Sequence, residues 1–367
     1  MKNFYDQNKE QFTALVSDEA QALYAARVSF GQLRVLYEAG ARPADFKTLR
    51  DRNFVINALS SIEAQDLYDA GVTFEQLRVL YEAGAFPKEL KGCYGVSTFG
   101  ENISVGKEQF LAEIKALSST EAQIAYRKGK ALFVDLRLLY DLHRDQFNAI
   151  TSDDARVLYE VGVSFKQLKI LYEVGAPPAE LNTMYVADLI SNKTKVANEI
   201  VALTSDDAQA LYKAGAPFKQ LKTLYESGVS PADLNTMYAA DLISNKTKVA
   251  NEIAAITSAD GQVLYKAGVS FKQLRVLYEA NVPFAGLSAL YKTDIKKFKA
   301  LISEEAVKAY KAGESFETLS NRYDPDKGLQ PETIRENKGF LQWIMKAQRK
   351  IGKNRQQAAQ EERRRGL

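Results

Sequence analysis

The chain has 367 residues, with 49 Lys+Arg against 46 Asp+Glu for a net charge of +3, and 46% of its residues are hydrophobic. Such a composition suits a folded protein and is too balanced to single out a polyanion, so no nucleic acid is expected as a partner. One cysteine, Cys93, excludes an intrachain disulfide, and with one histidine, His143, the chain has too few soft ligands for a zinc or iron–sulfur centre; no cofactor is expected.

No apolar run approaches the roughly 18 residues of a membrane span, and residues 1–11 carry both signs of charge instead of a signal peptide. The expectation is a soluble, cytoplasmic chain. Compared with itself, the sequence contains seven copies of one unit, seen most clearly from Thr257 to Asn281. Two tyrosines set its register. The first is Tyr24, Tyr68, Tyr126, Tyr159, Tyr212, Tyr265 or Tyr310; the second, thirteen or fourteen positions on, is Tyr37, Tyr81, Tyr140, Tyr172, Tyr225, Tyr278 or Tyr323. An alanine stands ten positions before the first tyrosine in every copy, from Ala14 to Ala300.

Within the unit, helix signals come in order. A Ser or Thr followed three residues later by an acid (Ser60 with Glu63, Ser118 with Glu121, Thr151 with Asp154, Thr204 with Asp207, Thr257 with Asp260) predicts a capping box opening the first helix. Gly71, Gly129, Gly162, Gly215, Gly268 or Gly313 then closes it in a left-handed turn. The second helix opens on Ser29 with Gln32, Thr73 with Gln76, Ser164 with Gln167 or Ser270 with Gln273, and ends on Gly40, Gly84, Gly175, Gly228 or Asn281. Pro43, Pro87, Pro178, Pro231 and Pro283 mark the start of a third helix, and a short amphipathic segment leads into the next copy. Helices this short gain stability by burying a stripe against their neighbours, which stacked units provide.

Along the chain the copies differ mainly in their connectors. Between copies two and four, residues 91–100 form a glycine-rich insert, the third copy has one extra residue between its tyrosines, and the fourth follows too closely for a third helix. A bend or break is predicted at 91–145. Residues 181–200 and 234–253 are identical in 19 of 20 positions, differing at Val186 and Ala239, and read as a recent duplication without functional weight of its own. Residues 324–331 read as a linker: Asp324 and Asp326 resemble the start of a calcium loop, but position six lacks glycine and position twelve is Arg335.

The first candidate site is a cation three residues before the second tyrosine: Arg34, Arg78, Arg137, Lys169, Lys222 and Arg275. Stacked, these would form a basic ladder for an acidic partner. An acid four residues further on in all seven copies (Glu38, Glu82, Asp141, Glu173, Glu226, Glu279 and Asp324) favours a solvated or inter-copy charge network instead. That acid sits where the helix dipole disfavours it, so it is expected to accept an ion pair or hydrogen bond from an adjacent unit. No catalytic constellation is present around His143 or Cys93, and no phosphate-binding glycine motif occurs, so no enzyme is expected. The second candidate is the tail: residues 332–367 hold ten basic and four acidic residues, a net +6. Phe340, Trp343, Ile344, Ala347 and Ile351 recur at helical spacing, with Lys346, Arg349, Lys350, Lys353 and Arg355 as candidate contacts to a partner or to an anionic membrane. The alternative is a cap on the end of the array.

In being a chain of short antiparallel helices, the sequence resembles tetratricopeptide and HEAT proteins, without their period or motif. The unit Leu-Tyr-x-Ala-Gly-Val-Ser-Phe-x-Gln-Leu-x-x-Leu-Tyr-Glu-Ala-Gly, covering residues 8–324, resembles repeats in secreted effectors of Legionella-type intracellular bacteria. The tail, with Glu361 and Glu362 near Leu367, is similar to C-terminal signals of type IV secreted substrates. The resemblance implies secretion into a host cell without a classical signal peptide, and a host protein as partner.

The expected fold is all-α, an α-solenoid of seven irregular helical repeats over residues 1–323, a linker at 324–331, and a basic amphipathic helix and tail at 332–367. The expected function is a non-enzymatic protein–protein interaction scaffold; the alternative is a peripheral membrane adaptor docking on anionic lipid through the tail.

Overall fold

A computed structural model describes residues 9–49, 52–94 and 104–330, which form 26 helices and one short β-hairpin. The protein is all-α, and among the described residues no helix is long and apolar enough to cross a membrane. The chain divides into two compact units. One comprises the described residues up to Lys213 with Pro217–Tyr225 and Ser230–Met237; the other comprises Ala214–Ala216, Glu226–Val229 and the described residues from Tyr238 onward.

In the first unit, copy two shows the local plan: helices Asn53–Leu59, Ile62–Asp69, Phe74–Glu82 and Pro87–Tyr94. The first packs on the third and the second on the fourth. In the second unit, copy six repeats it with Lys246–Ile256, Ala259–Lys266, Phe271–Glu279 and Phe284–Thr293, again paired first with third and second with fourth. Each Phe-led helix buries the leucines its spacing places on one face, such as Leu77 with Leu80 and Leu274 with Leu277. Fully burying each contributes about 2 kcal/mol. Copies also bond through the backbone: Phe74 N–H donates to the Ala39 carbonyl (2.9 Å), and Phe165 N–H to that of Gly129 (2.8 Å).

The second-helix capping boxes form reciprocally at Ser29, Thr73, Ser164 and Ser270. Left-handed turns fall on Gly40, Gly71, Gly84, Gly162, Gly175, Gly215, Gly228, Gly268, Gly313 and Asn281. The first tyrosine column is tied down by its hydroxyls, which donate to a carbonyl nine residues back in Tyr24 (Leu15, 2.9 Å), Tyr68 (Leu59, 2.8 Å), Tyr126 (Leu117, 3.0 Å), Tyr159 (Ile150, 3.0 Å) and Tyr212 (Leu203, 2.9 Å). Burial raises the hydroxyl pKa of Tyr68, Tyr126, Tyr159 and Tyr212 above the ordinary tyrosine value.

Several details depart from the sequence expectation. The first-helix cap is the serine after the expected residue: Ser61, Ser119, Ser152, Ser205 and Ser258 accept the amide. The preceding Ser60, Ser118, Thr151, Thr204 and Thr257 instead donate back to the last turn of the helix before them, at 2.7–2.8 Å. Both hydroxyls are needed because one helix ends where the next begins. In copy three, Gly129 is not left-handed; that conformation falls on the extra residue, Lys130 (φ 58°). Glycine is required at 129 for a different reason, since a Cβ there would lie 2.5 Å from the Tyr159 ring. Lys91 to Tyr94, expected in a loop, close the Pro87–Tyr94 helix. The expected linker contains a hairpin, in which Tyr323–Asp324 pairs antiparallel with Gly328–Leu329. The Asp324 carboxylate closes its turn by accepting from the amides of Asp326 (2.8 Å) and Lys327 (3.1 Å).

Candidate functional site

The cation column does not form one exposed ladder. Arg34 pairs with Glu38 at 3.3 Å along its own helix, as the i,i+4 spacing predicts. Arg78 turns the other way and grips Glu75 with two guanidinium nitrogens (2.8 and 2.9 Å). Arg137 reaches the buried Glu113 at 3.1 Å and lies 3.9 Å from Asp141. Lys169 is half-buried, with its backbone carbonyl accepting from the buried Gln146 amide at 3.4 Å.

Lys222 and Arg275 each meet a buried carboxylate under a tyrosine ring. Lys222 Nζ sits 3.2 Å from the buried Glu199 carboxylate and 4.5 Å over the Tyr185 ring, and Tyr185 donates to that same carboxylate at 2.7 Å. In the second unit Arg275 lies 4.6 Å over the Tyr238 ring and 3.2 Å from Glu252, to which Tyr238 donates at 2.8 Å. Arg275 also reaches Asp241 (3.2 Å) and Glu279 (3.5 Å). Burial pushes the Glu252 carboxyl above the ordinary carboxylate value, opposed by the Tyr238 hydrogen bond and the Arg275 charge. Both tyrosines and both glutamates lie in the duplicated segments, which therefore carry buried polar clusters. A signal was legible: in Lys193–Leu203 the buried positions are Val196, Glu199, Ile200 and Leu203, so a carboxylate occupies a slot of the apolar stripe.

The expected inter-copy role of the acid column holds at Glu82, which accepts from Arg52 (3.1 Å) and from Arg127 of the next copy (3.3 Å). At Glu38 and Glu279 the partners come from within the copy. Gln11 donates to Glu38 at 3.3 Å, and Lys248 lies 3.8 Å from Glu279.

The exposed surface is most unusual in copy three. Helix Phe133–Leu142 buries Phe133, Leu136, Leu139 and Tyr140, yet Val134, Leu138 and Leu142, spaced four apart on another face, are 63%, 51% and 66% exposed. The residue before it, Leu132, is 59% exposed and stands where every other copy but the fifth, which has Pro217, places a Ser or Thr, so this helix starts without a side-chain cap. Four of the fifteen exposed large hydrophobic residues found among the described residues fall in these eleven positions. The position of Val134 holds Gly31, Glu75, Lys166, Lys219 and Lys272 in other copies. The helix is held from behind: Tyr140 packs edge-on against Phe147 (5.2 Å), and the Arg144 guanidinium lies over the Tyr140 ring at 3.2 Å.

His143 is exposed between this helix and Arg144–Ile150 and makes no side-chain cap bond. The Cys93 side chain, and the tail with Trp343, Lys346, Arg349, Lys350, Lys353 and Arg355, lie outside the described residues. No family model matches the chain, and no curated protein and no solved structure is similar to it.

Proposed function

We propose that the helical copies stack as a solenoid and that the protein is a non-enzymatic interaction scaffold whose partner docks on the apolar face of helix Phe133–Leu142. As the resemblance of its repeat to secreted effectors implies, that partner is a host protein. The observation carrying this reading is the exposed row Val134, Leu138 and Leu142 on a helix fixed from behind by Tyr140, Phe147 and Arg144. Monomeric proteins seldom leave such faces uncovered, and a rigid face lowers the ordering cost of binding. Leu132 points the same way: it forgoes a cap worth about 1 kcal/mol and leaves an apolar side chain in water.

The test is recovery of partners from host-cell lysate by cross-linking to the full chain and to a triple variant, Val134→Lys, Leu138→Glu and Leu142→Lys. The variant is expected to keep its melting temperature, since all three side chains are exposed, and to lose a protein that the native chain recovers. Identical recovery by both chains would sink the reading.

A further inference from the structure

The stacking of copies one, two and three creates the same groove twice. The first, of about 270 Å³, is lined by Glu38, Gln65, Asp69 and Thr73 among others. The second, of about 570 Å³, has Glu82, Gln123, Arg127 and Leu132 at the corresponding places, with Arg52 and Lys130 added. The backbone under both is alike, with Phe74 N–H donating to the Ala39 carbonyl (2.9 Å) and Phe133 N–H to that of Ala83 (3.3 Å).

The charge at the rim is reversed. Glu38 and Asp69 make the first groove acidic, whereas Arg52, Arg127 and Lys130 outnumber Glu82 in the second. A feature that reverses sign between copies of one fold is not required by the stacking. The extra residue of copy three explains the enlargement. In copy two the turn is closed by Val72 N–H donating to the Leu67 carbonyl, five residues back; in copy three Ala131 N–H reaches Ala125, six back. The wider turn places Lys130 at the rim in a left-handed conformation (φ 58°), where copies two and four use glycine.

We propose that this basic groove binds an acidic segment of a protein partner in which carboxylates alternate with apolar side chains. The carboxylates would meet Arg127 and Lys130, and an apolar side chain would pack on Leu132. Glu82 lies between Arg52 (3.1 Å) and Arg127 (3.3 Å) and repels anions, a phosphate dianion more strongly than the single charges of spaced carboxylates. Leu132 leads directly into the helix carrying Val134 and Leu138, so the groove is continuous in sequence with the apolar face. The inference rests on the scaffold reading and names the chemistry of its partner.

The test is fluorescence anisotropy of the full chain with a labelled peptide of alternating aspartate and leucine, beside a lysine–leucine control. Saturable binding that weakens with salt is expected for the acidic peptide alone. Arg127→Asp, which copies the residue of the first groove, should weaken it about tenfold or more. Lys130→Gly should weaken it about threefold without lowering the melting temperature, since glycine accepts the left-handed conformation. The proposal fails if the acidic peptide does not bind, if both variants bind it like the native chain, if the lysine–leucine peptide binds equally, or if single-stranded RNA or inorganic phosphate displaces it more readily than unlabelled acidic peptide. If the groove variants change nothing while the Val134/Leu138/Leu142 variant loses its cross-linked protein, the groove falls and the scaffold stands. Unchanged recovery by that triple variant removes the scaffold reading whatever the groove binds.

Discussion

The cation column behaves differently near the two ends of the array. In copies one and two, Arg34 and Arg78 pair along their own helices with the exposed carboxylates of Glu38 and Glu75. In copies five and six, Lys222 and Arg275 turn onto buried Glu199 and Glu252 and over the rings of Tyr185 and Tyr238. The difference originates three residues before the alanine column, where Gln11 and Val55 occupy the slot filled by Glu199 and Glu252 later on. Buried Val55 asks only for packing, but a buried carboxylate demands a hydrogen bond and a counter-charge. Identical columns can therefore be decoration in one copy and part of the core in another. The buried clusters then belong to the packing of the helices, and the surface we propose for a partner lies where copy three departs from the pattern.

The largest effect expected from this contrast is at Glu252. Replacing it with Ala strands the Tyr238 hydroxyl and removes one of the carboxylates facing Arg275, so the urea midpoint should fall by the equivalent of about 3 kcal/mol. A loss below about 1 kcal/mol would place the cluster with surface ion pairs. The same residue sets a pH signature. Its folded pKa is raised above the unfolded value, so its contribution is fully present below the unfolded pKa and is lost as pH rises through the folded one. The stability of the native chain relative to Glu252→Gln should thus grow on acidification from neutrality toward pH of about 5. A flat difference in thermal melts across that range would contradict this.

A smaller contrast separates two tyrosines of one column. Tyr159→Phe breaks the bond to the Ile150 carbonyl and should cost about 1 kcal/mol. The Tyr310 hydroxyl is buried without a hydrogen-bond partner among the described residues, so Tyr310→Phe should be neutral or stabilising in the same melts. Smallest of all, Arg34→Ala should change stability by no more than about 0.5 kcal/mol, since its pair with Glu38 is solvent-exposed. A cost comparable to that of Glu252→Ala would erase the distinction between the two ends.

Much of the local structure was legible in the sequence. Ser29 with Gln32 and Ser270 with Gln273 name their capping boxes, and Asn281 at φ 54° behaves like the glycines of its column, because these are interactions within a few residues. The candidate surface was partly legible: the extra residue of copy three was visible, but not that Lys130 would take the left-handed turn and widen a groove. The duplicated segments hid their content, since an acid on an otherwise apolar stripe declares its burial without declaring its partner.

The sequence by itself determined that the chain is built of short capped helices and, for most of the tyrosine-bearing ones, where each begins and ends to within a residue. Those outcomes depend on hydrogen bonds spanning three or four positions and on which residues accept a positive φ. Tertiary structure alone decided which charges are buried, as with Glu252 and Arg275, and which apolar side chains stay in water, as with Val134 and Leu138. Burial depends on what a neighbouring helix brings opposite a side chain. For Glu252 the hydroxyl comes from fourteen residues before it and the guanidinium from more than twenty after it, beyond the reach of any local pattern.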